Sequence, residues 1–226
     1  MAILALTGAS SSLSVAVMSG SRCLWQNLPA RHSEACLDVV DALLAEAGIG
    51  LGQLDAIAFG QGPGSFTGVR LACALAQGLA MAVDLPLCPV CDLAALAWLA
   101  SRDSPAVSRV AVAMDARQDE IYWGVFGVSD ELSGGIRPLR PIALLQPHQA
   151  TLPEEGPWLA AGDGWKVHGL SHLDVYRPPE LIEAVRADAT AYLAVRAVAR
   201  GHLVPPDEAL PVYLRPDPLQ REALLQ

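Results

Sequence analysis

At 226 residues, with 52% apolar side chains and a mean hydropathy of +0.33, the chain can bury a substantial core, as one large domain or as two of about 100 to 120 residues. A formal charge of −9 and a pI near 4.9 argue against independent binding to nucleic acid, whose phosphates most of the surface would repel, so any contact with RNA should run through a partner. No basic segment precedes the first apolar run, and the most apolar stretch, Leu71 to Leu87, is interrupted by Gln77, Gly78, Asp84 and Pro86; both features exclude a membrane span and point to a cytoplasmic protein.

Ala2 to Leu6 reads as an apolar strand, Thr7 to Ser12 as a turn of small polar residues, and Leu13 to Met18 as a returning strand, so the chain opens with a hairpin. The first helix is expected to start near Ser33, an N-cap followed by Glu34, and to run to Ala47 with Gly48 as its stop. Its apolar positions Cys36, Leu37, Val39, Val40, Leu43 and Leu44 cover more of the circumference than one core stripe needs. Leu54 to Phe59 is a short buried strand. After it comes the most informative stretch, Gly60-Gln61-Gly62-Pro63-Gly64-Ser65-Phe66-Thr67-Gly68-Val69-Arg70, which joins that strand to a helix from Thr67 to Ala82 whose one charge is Arg70. Backbone amides at such a junction can cradle an anion. Neither common nucleotide motif is present, however: no Lys-Ser/Thr pair follows the last glycine, and Gly62, Gly64 and Gly68 do not have the G-x-G-x-x-G spacing. The loop is therefore structural or a vestigial anion site: Gly62, Gly64 and Gly68 permit a tight turn, and Ser65 and Thr67 satisfy amides at the helix start. The helix itself is apolar nearly all round and rich in small residues, so burial on both faces is expected.

Five cysteines at irregular positions form no disulfide framework. Cys88-Pro89-Val90-Cys91 has the spacing of a redox centre or half a zinc site, but no second pair accompanies it, which favours buried thiols flanking a strand. Arg102 to Pro105 break the apolar pattern and divide the chain into lobes of residues 1–104 and 105–226, with the last helix free to return to the first lobe. The second lobe opens like the first. Val110 to Met114 and Ile121 to Val128 flank a polar turn, and superposing the two hairpins sets Thr7 against Asp115; the pattern is that of a duplicated α/β architecture with a cleft between its lobes. Gly162-Asp163-Gly164 follows the strand-like Trp158 to Ala161 as a turn. His168 and His172 are four apart, but the adjacent Gly169 and a loop setting favour exposed histidines over metal ligands. Leu181 to Leu203 has helical spacing, and the tail after Arg215 is expected to be loosely ordered.

The Gly-Pro-Gly-Ser-Phe-Thr-Gly-Val-Arg-Leu run, with Leu54 to Ala58 before it, the Arg31-His32-Ser33-Glu34 helix entry, Met114-Asp115-Ala116-Arg117 with Tyr122-Trp123, and Pro211-Val212-Tyr213-Leu214-Arg215, resembles the bacterial TsaB (YeaZ) family over nearly the whole chain. The resemblance implies the two-lobe fold of actin, the sugar kinases and Hsp70, related to ribonuclease H. It also implies a subunit of the machinery that makes N6-threonylcarbamoyladenosine in tRNAs, working with the catalytic paralogue TsaD and the ATPase TsaE and reaching tRNA only through that complex. Active members of the superfamily place carboxylates at the first turns of both lobes to hold a metal-bound phosphate. Here Thr7 stands at the first position, where many TsaB sequences carry Asp, and Asp115 at the second, as a vestigial phosphate site or as a cap of its own turn. The paralogue's two metal-binding histidines align with Asp92 and Leu96, and leucine cannot ligate, so neither metal nor cofactor is expected.

Two enzyme classes stay open beside a scaffold. A small-molecule kinase of the same fold would call for Asp at position 7, and a peptidase would need a base near Ser65 or Thr67, for which His32 is the distant candidate. The scaffold reading assigns no catalytic residue. It makes the two N-terminal helices a docking face for TsaD, or for a second copy when the chain is alone, through Leu37, Val40, Leu44, Arg70, Leu71 and Ala74, and it expects Val40→Glu to break that association.

Overall fold

The computed structural model describes residues 1–29, 34–104, 106–129, 135–153 and 155–215. The proposed N-cap Ser33, His32 and the tail beyond Arg215 lie outside them. The first half contains β1 (Ala2–Thr7), β2 (Ser12–Ser19), β3 (Arg22–Pro29), α1 (Cys36–Ala47), β4 (Ala56–Gly60), α2 (Phe66–Val83) and β5 (Leu87–Val90), and its sheet has the order β3-β2-β1-β4-β5. α3 (Asp92–Asp103) ends the first half, and the second contains β6 (Arg109–Asp115), β7 (Ile121–Ser129), β8 (Gly135–Pro138), β9 (Ala143–Leu145), β10 (Leu159–Ala161), α4 (Gly164–His168) and α5 (Ala187–Ala199). Its sheet runs β10-β6-β7-β8, with β9 also pairing β7.

The duplication is visible in the pairing. β1 pairs antiparallel with β2 and parallel with β4, and β6 pairs antiparallel with β7 and parallel with β10. Thr7 and Asp115 are the last residues of β1 and β6. The equivalence drawn from the two hairpins therefore holds in the topology: both residues lie at the carboxyl ends of parallel-paired strands, where open α/β sheets build their clefts.

Alternation along each strand sends its residues to two cores. Leu4, Leu6, Leu13, Val15, Ile57 and Phe59 meet α1 and α2 on one face of the first sheet. Ile3, Ala5, Ala16, Ala58 and Cys88 meet Ala187, Ala191 and Ala194 of α5 on the other. The helices cross between the halves: α5 packs on the first sheet, while α3 lays Leu93, Leu96 and Ala97 on Val110, Val112, Phe126 and Leu159 of the second. Trp98 of α3 stacks on Tyr192 of α5 with ring centroids 4.3 Å apart, fastening one half to the other.

Three elements differ from the sequence reading. α1 begins at Cys36 with Ala35 at its N-cap position. The helix read from Leu181 begins only at Ala187, because the amides of Val185 and Ala187 donate to the Ser10 and Ser14 hydroxyls of the first hairpin, 3.0 Å in each case, and this holds the preceding chain extended. α2 buries Val69, Ala72, Cys73, Ala76 and Ala80 only, so one face is covered and the other is open rather than both being buried.

Candidate functional site

The glycine loop is explained by close packing. A side chain at Gly68 would collide with the Gly8 carbonyl oxygen, one at Gly64 would lie 2.6 Å from Ala9 Cβ, and one at Gly60 would strike the Asp92 carboxylate. The turn after β1 thus sits backbone to backbone on the first turn of α2. Three of the loop amides are used within the protein: Gly62 N–H donates to Asp92 Oδ2 at 2.7 Å, Ser65 N–H to the Ala9 carbonyl at 2.8 Å, and Gly68 N–H to Ser65 Oγ at 3.4 Å. Ser65 caps α2, as its place in the sequence led us to expect, and Thr67 is exposed on the first turn. These three amides are not held ready for an anion.

Thr7 does not stand alone at the end of β1. Its hydroxyl donates to Asp92 Oδ1 at 2.6 Å, and Asp92, the first residue of α3, is fully buried. Burial pushes the Asp92 carboxyl up to about 6, while the Thr7 hydroxyl and the Gly62 amide pull in the opposite direction. The sequence reading missed this carboxylate as a site residue because position 92 was weighed only as a failed metal ligand. Leu96, one turn further along, is buried in the core of the second half.

In the second half, Asp115 Oδ1 accepts from its own turn at Arg117 N, 3.0 Å away, and Oδ2 lies 3.1 Å from Arg117 Nη1. His168, read as exposed in a loop, instead ends α4 with its side chain 10% exposed and Nε2 3.1 Å from Asp115 Oδ1. His172 is exposed and bonds the Ala150 carbonyl. The Asp115 amide donates to Asp163 Oδ1 at 2.9 Å, and burial raises the Asp163 carboxyl above its usual range. Gly162 adopts φ +100° with Ala113 against it, so the Gly-Asp-Gly turn is packed onto β6. A metal-bound phosphate needs free carboxylate oxygens from both halves. Here Asp92 is sealed under Gly60 and Thr7, and Asp115 already has a guanidinium and an imidazole beside it, so these residues do not fit that group.

The docking residues divide. Leu37, Arg70 and Ala74 are exposed and Leu71 is half-buried, whereas Val40 and Leu44, 1% and 4% exposed, are engaged in the protein's own core under α1. Val40→Glu would therefore break the fold before it reported on any partner. Arg70 lies 3.5 Å over the Phe66 ring and donates through Nε to Tyr213 Oη at 2.7 Å, so the segment around Tyr213 joins this surface.

Two hairpin-led halves that exchange helices define the fold of actin, the sugar kinases and Hsp70, in a form whose carboxylates at the ends of β1 and β6 are internally engaged. The sequence matches the family described as TsaD, tRNA N6-adenosine threonylcarbamoyltransferase, over residues 27–139. It is 34% identical over 223 residues to the tRNA threonylcarbamoyladenosine biosynthesis protein TsaB of Escherichia coli, covering 95% of each chain. It is 43% identical over 125 residues to TsaB of Haemophilus influenzae, covering 54% of this chain and 52% of that one. The crystal structure of YeaZ from Pseudomonas aeruginosa superposes with a TM-score of 0.84 at 40% identity over 94% of this chain and 99% of the other. A second Pseudomonas aeruginosa structure, described as an uncharacterised protein similar to the peptidase YeaZ, gives 0.87 at 39% identity over 95% and 99%. The chain belongs to the TsaB (YeaZ) family, whose named members belong to tRNA threonylcarbamoyladenosine biosynthesis.

Proposed function

We propose that this chain is a non-catalytic partner subunit that binds TsaD and activates it in the threonylcarbamoylation of adenosine in tRNAs. One observation carries the reading: the 18 residues of α2 average a hydropathy of 1.5, yet only 28% of them are buried within the protein. Ala74 and Met81 are exposed along this helix, Leu71, Leu75 and Leu79 are half-buried, and nothing lies within 4 Å of where a side chain at Gly78 would project. An apolar face of small residues lets a second helix approach closely, and leaving it in water is unfavourable. The occupant is TsaD in the working complex, with TsaE as a further member, and a second copy of this chain when it is alone. With a charge of −9 the chain reaches tRNA only through that complex, in the cytoplasm. Docking acts on TsaD by favouring its active conformation, which requires tighter binding to that state than to the inactive one.

The test uses the exposed position in place of Val40. Leu37, 50% exposed on α1, is changed to Glu, and association with TsaD is followed by size-exclusion with light scattering alongside threonylcarbamoyladenosine formation. Leu37→Glu should weaken association by about tenfold or more and lower modification in step, with unchanged thermal unfolding. Full association of the variant would rule out this face. Full modification by TsaD and TsaE without this chain would rule out the activating role.

A further inference from the structure

Two sets of contacts tie the halves together, and they lie on opposite faces of the first sheet. On the face lined by Ile3, Ala5 and Ala58 the tie is mainly apolar, with α5 on the first sheet, α3 on the second and the Trp98–Tyr192 stack between them, and two hydrogen bonds, from the Val185 and Ala187 amides to the Ser10 and Ser14 hydroxyls, at the start of α5. On the face lined by Leu4, Leu6 and Phe59, where α2 packs, the tie is a strap, Ala209 to Arg215, which buries Ala209 in the core and sets the Tyr213 ring beside Phe66, and is otherwise held by polar contacts. The Ala209 carbonyl accepts from Cys73 Sγ and from Gln77 Nε2 at 3.1 Å, and the Val212 amide donates to the Gln61 carbonyl of the glycine loop at 2.7 Å. The far end reaches the other half. Arg215 grips the turn between β6 and β7 through the Ala116 carbonyl at 3.0 Å, Gln118 Oε1 at 2.7 Å and Glu120 Oε2 at 2.6 Å.

We infer that Ala209–Arg215 is a latch that fixes the angle between the two halves and, through Tyr213, sets Arg70 in the pose in which α2 offers it to an acidic side chain of a docking partner. A mainly apolar tie on one face can act as a hinge, since packing is non-directional, whereas on the other face the two Arg215 hydrogen bonds, with the Glu120 ion pair beside them, select one angle. Opening about the α3–α5 contact breaks the Arg215 grip first. Tyr213 links this latch to the surface. Its hydroxyl accepts from Arg70 Nε while the guanidinium lies over Phe66, and the remaining guanidinium donors have no partner among the described residues. Arg70 is the one cation in α1 and α2, so a carboxylate is the group that complements it, in the two-pronged geometry guanidinium favours. The second half of this inference rests on the proposed docking of TsaD, and the first half does not.

Amide hydrogen exchange on the full chain tests the latch, with Arg215→Ala and, from the opposite side of the grip, Glu120→Gln. Both variants should exchange about tenfold faster at Val212 and across residues 116–120, with β1 and β2 unchanged. Unaltered exchange at those amides in both variants would overturn the latch. Binding of purified TsaD to Tyr213→Phe, which keeps the ring and removes the hydroxyl, tests the pose of Arg70. A several-fold loss of affinity with unchanged thermal unfolding is expected, and full affinity would overturn that part. If the unaltered chain fails to bind TsaD, the docking reading falls and Tyr213's part falls with it, while the exchange result still decides the latch.

Discussion

Thr7 looks, in sequence, like a carboxylate lost. In the folded chain its hydroxyl serves a different carboxylate, Asp92, brought to it across 85 residues. The sign of the resulting pH dependence follows from burial. Native Asp92, with its carboxyl raised to about 6 from 3.8, holds a proton at pH values where the unfolded chain has released it. Its contribution is therefore fully present below the unfolded value and is lost as the pH rises through the folded one. In chemical denaturation, the stability of the unaltered protein relative to Asp92→Asn should fall by on the order of 1–3 kcal/mol between about pH 4 and about pH 7. Parallel profiles for the two proteins would rule this out. The loop glycines are equally specific: Gly68→Ala puts a methyl group into the Gly8 carbonyl, which is backbone and cannot turn aside. A loss on the order of 1–3 kcal/mol is expected in urea unfolding, from overpacking that the surroundings cannot relieve.

At the scale of elements, α1 and α2 show how periodicity can overstate what is free. The wide apolar arc of α1 is accounted for by its own core, which takes Val39, Val40, Leu43 and Leu44 and leaves Leu37 outside. The all-round apolar character of α2 is the real surplus. Gly78→Ala in its interior should raise stability by about 1 kcal/mol, because alanine is the better helix former and nothing within 4 Å opposes the added methyl. Calorimetric unfolding measures this, and no gain would mean that the position is constrained within the single chain. Other elements were hidden for identifiable reasons. β3 is a half-exposed edge strand whose residues Arg22 to Pro29 show no clean alternation. β5, by contrast, was legible as the strand beside Cys88 and Cys91, and its Pro89 is accommodated because β5 is the edge of its sheet. The start of α5 was misread because the Ser10 and Ser14 hydroxyls that hold Val185 and Ala187 are more than 170 residues away.

For the whole molecule, the engaged carboxylates of both halves, Asp92 and Asp115, predict that titration calorimetry with ATP and Mg²⁺ will detect no micromolar binding. A clear binding isotherm in that range would revive the kinase alternative. What the sequence determined by itself was everything carried by local pattern. The two hairpins and their equivalence through Thr7 and Asp115, the strand-to-glycine-loop-to-helix junction and the cap at Ser65 each depend on neighbours a few residues apart, as does the family motif. What only the tertiary structure decided depends on groups far apart in the chain meeting in space. Asp92 pairs with Thr7, His168 with Asp115, and Arg215 with the β6–β7 turn, while the crossing of α3 and α5 buries one side of each sheet and leaves a face of α2 open. Hydrophobic pattern says how much surface must be covered, but being non-directional it does not say by which element, and that choice separates the core residue Val40 from the surface residue Leu37.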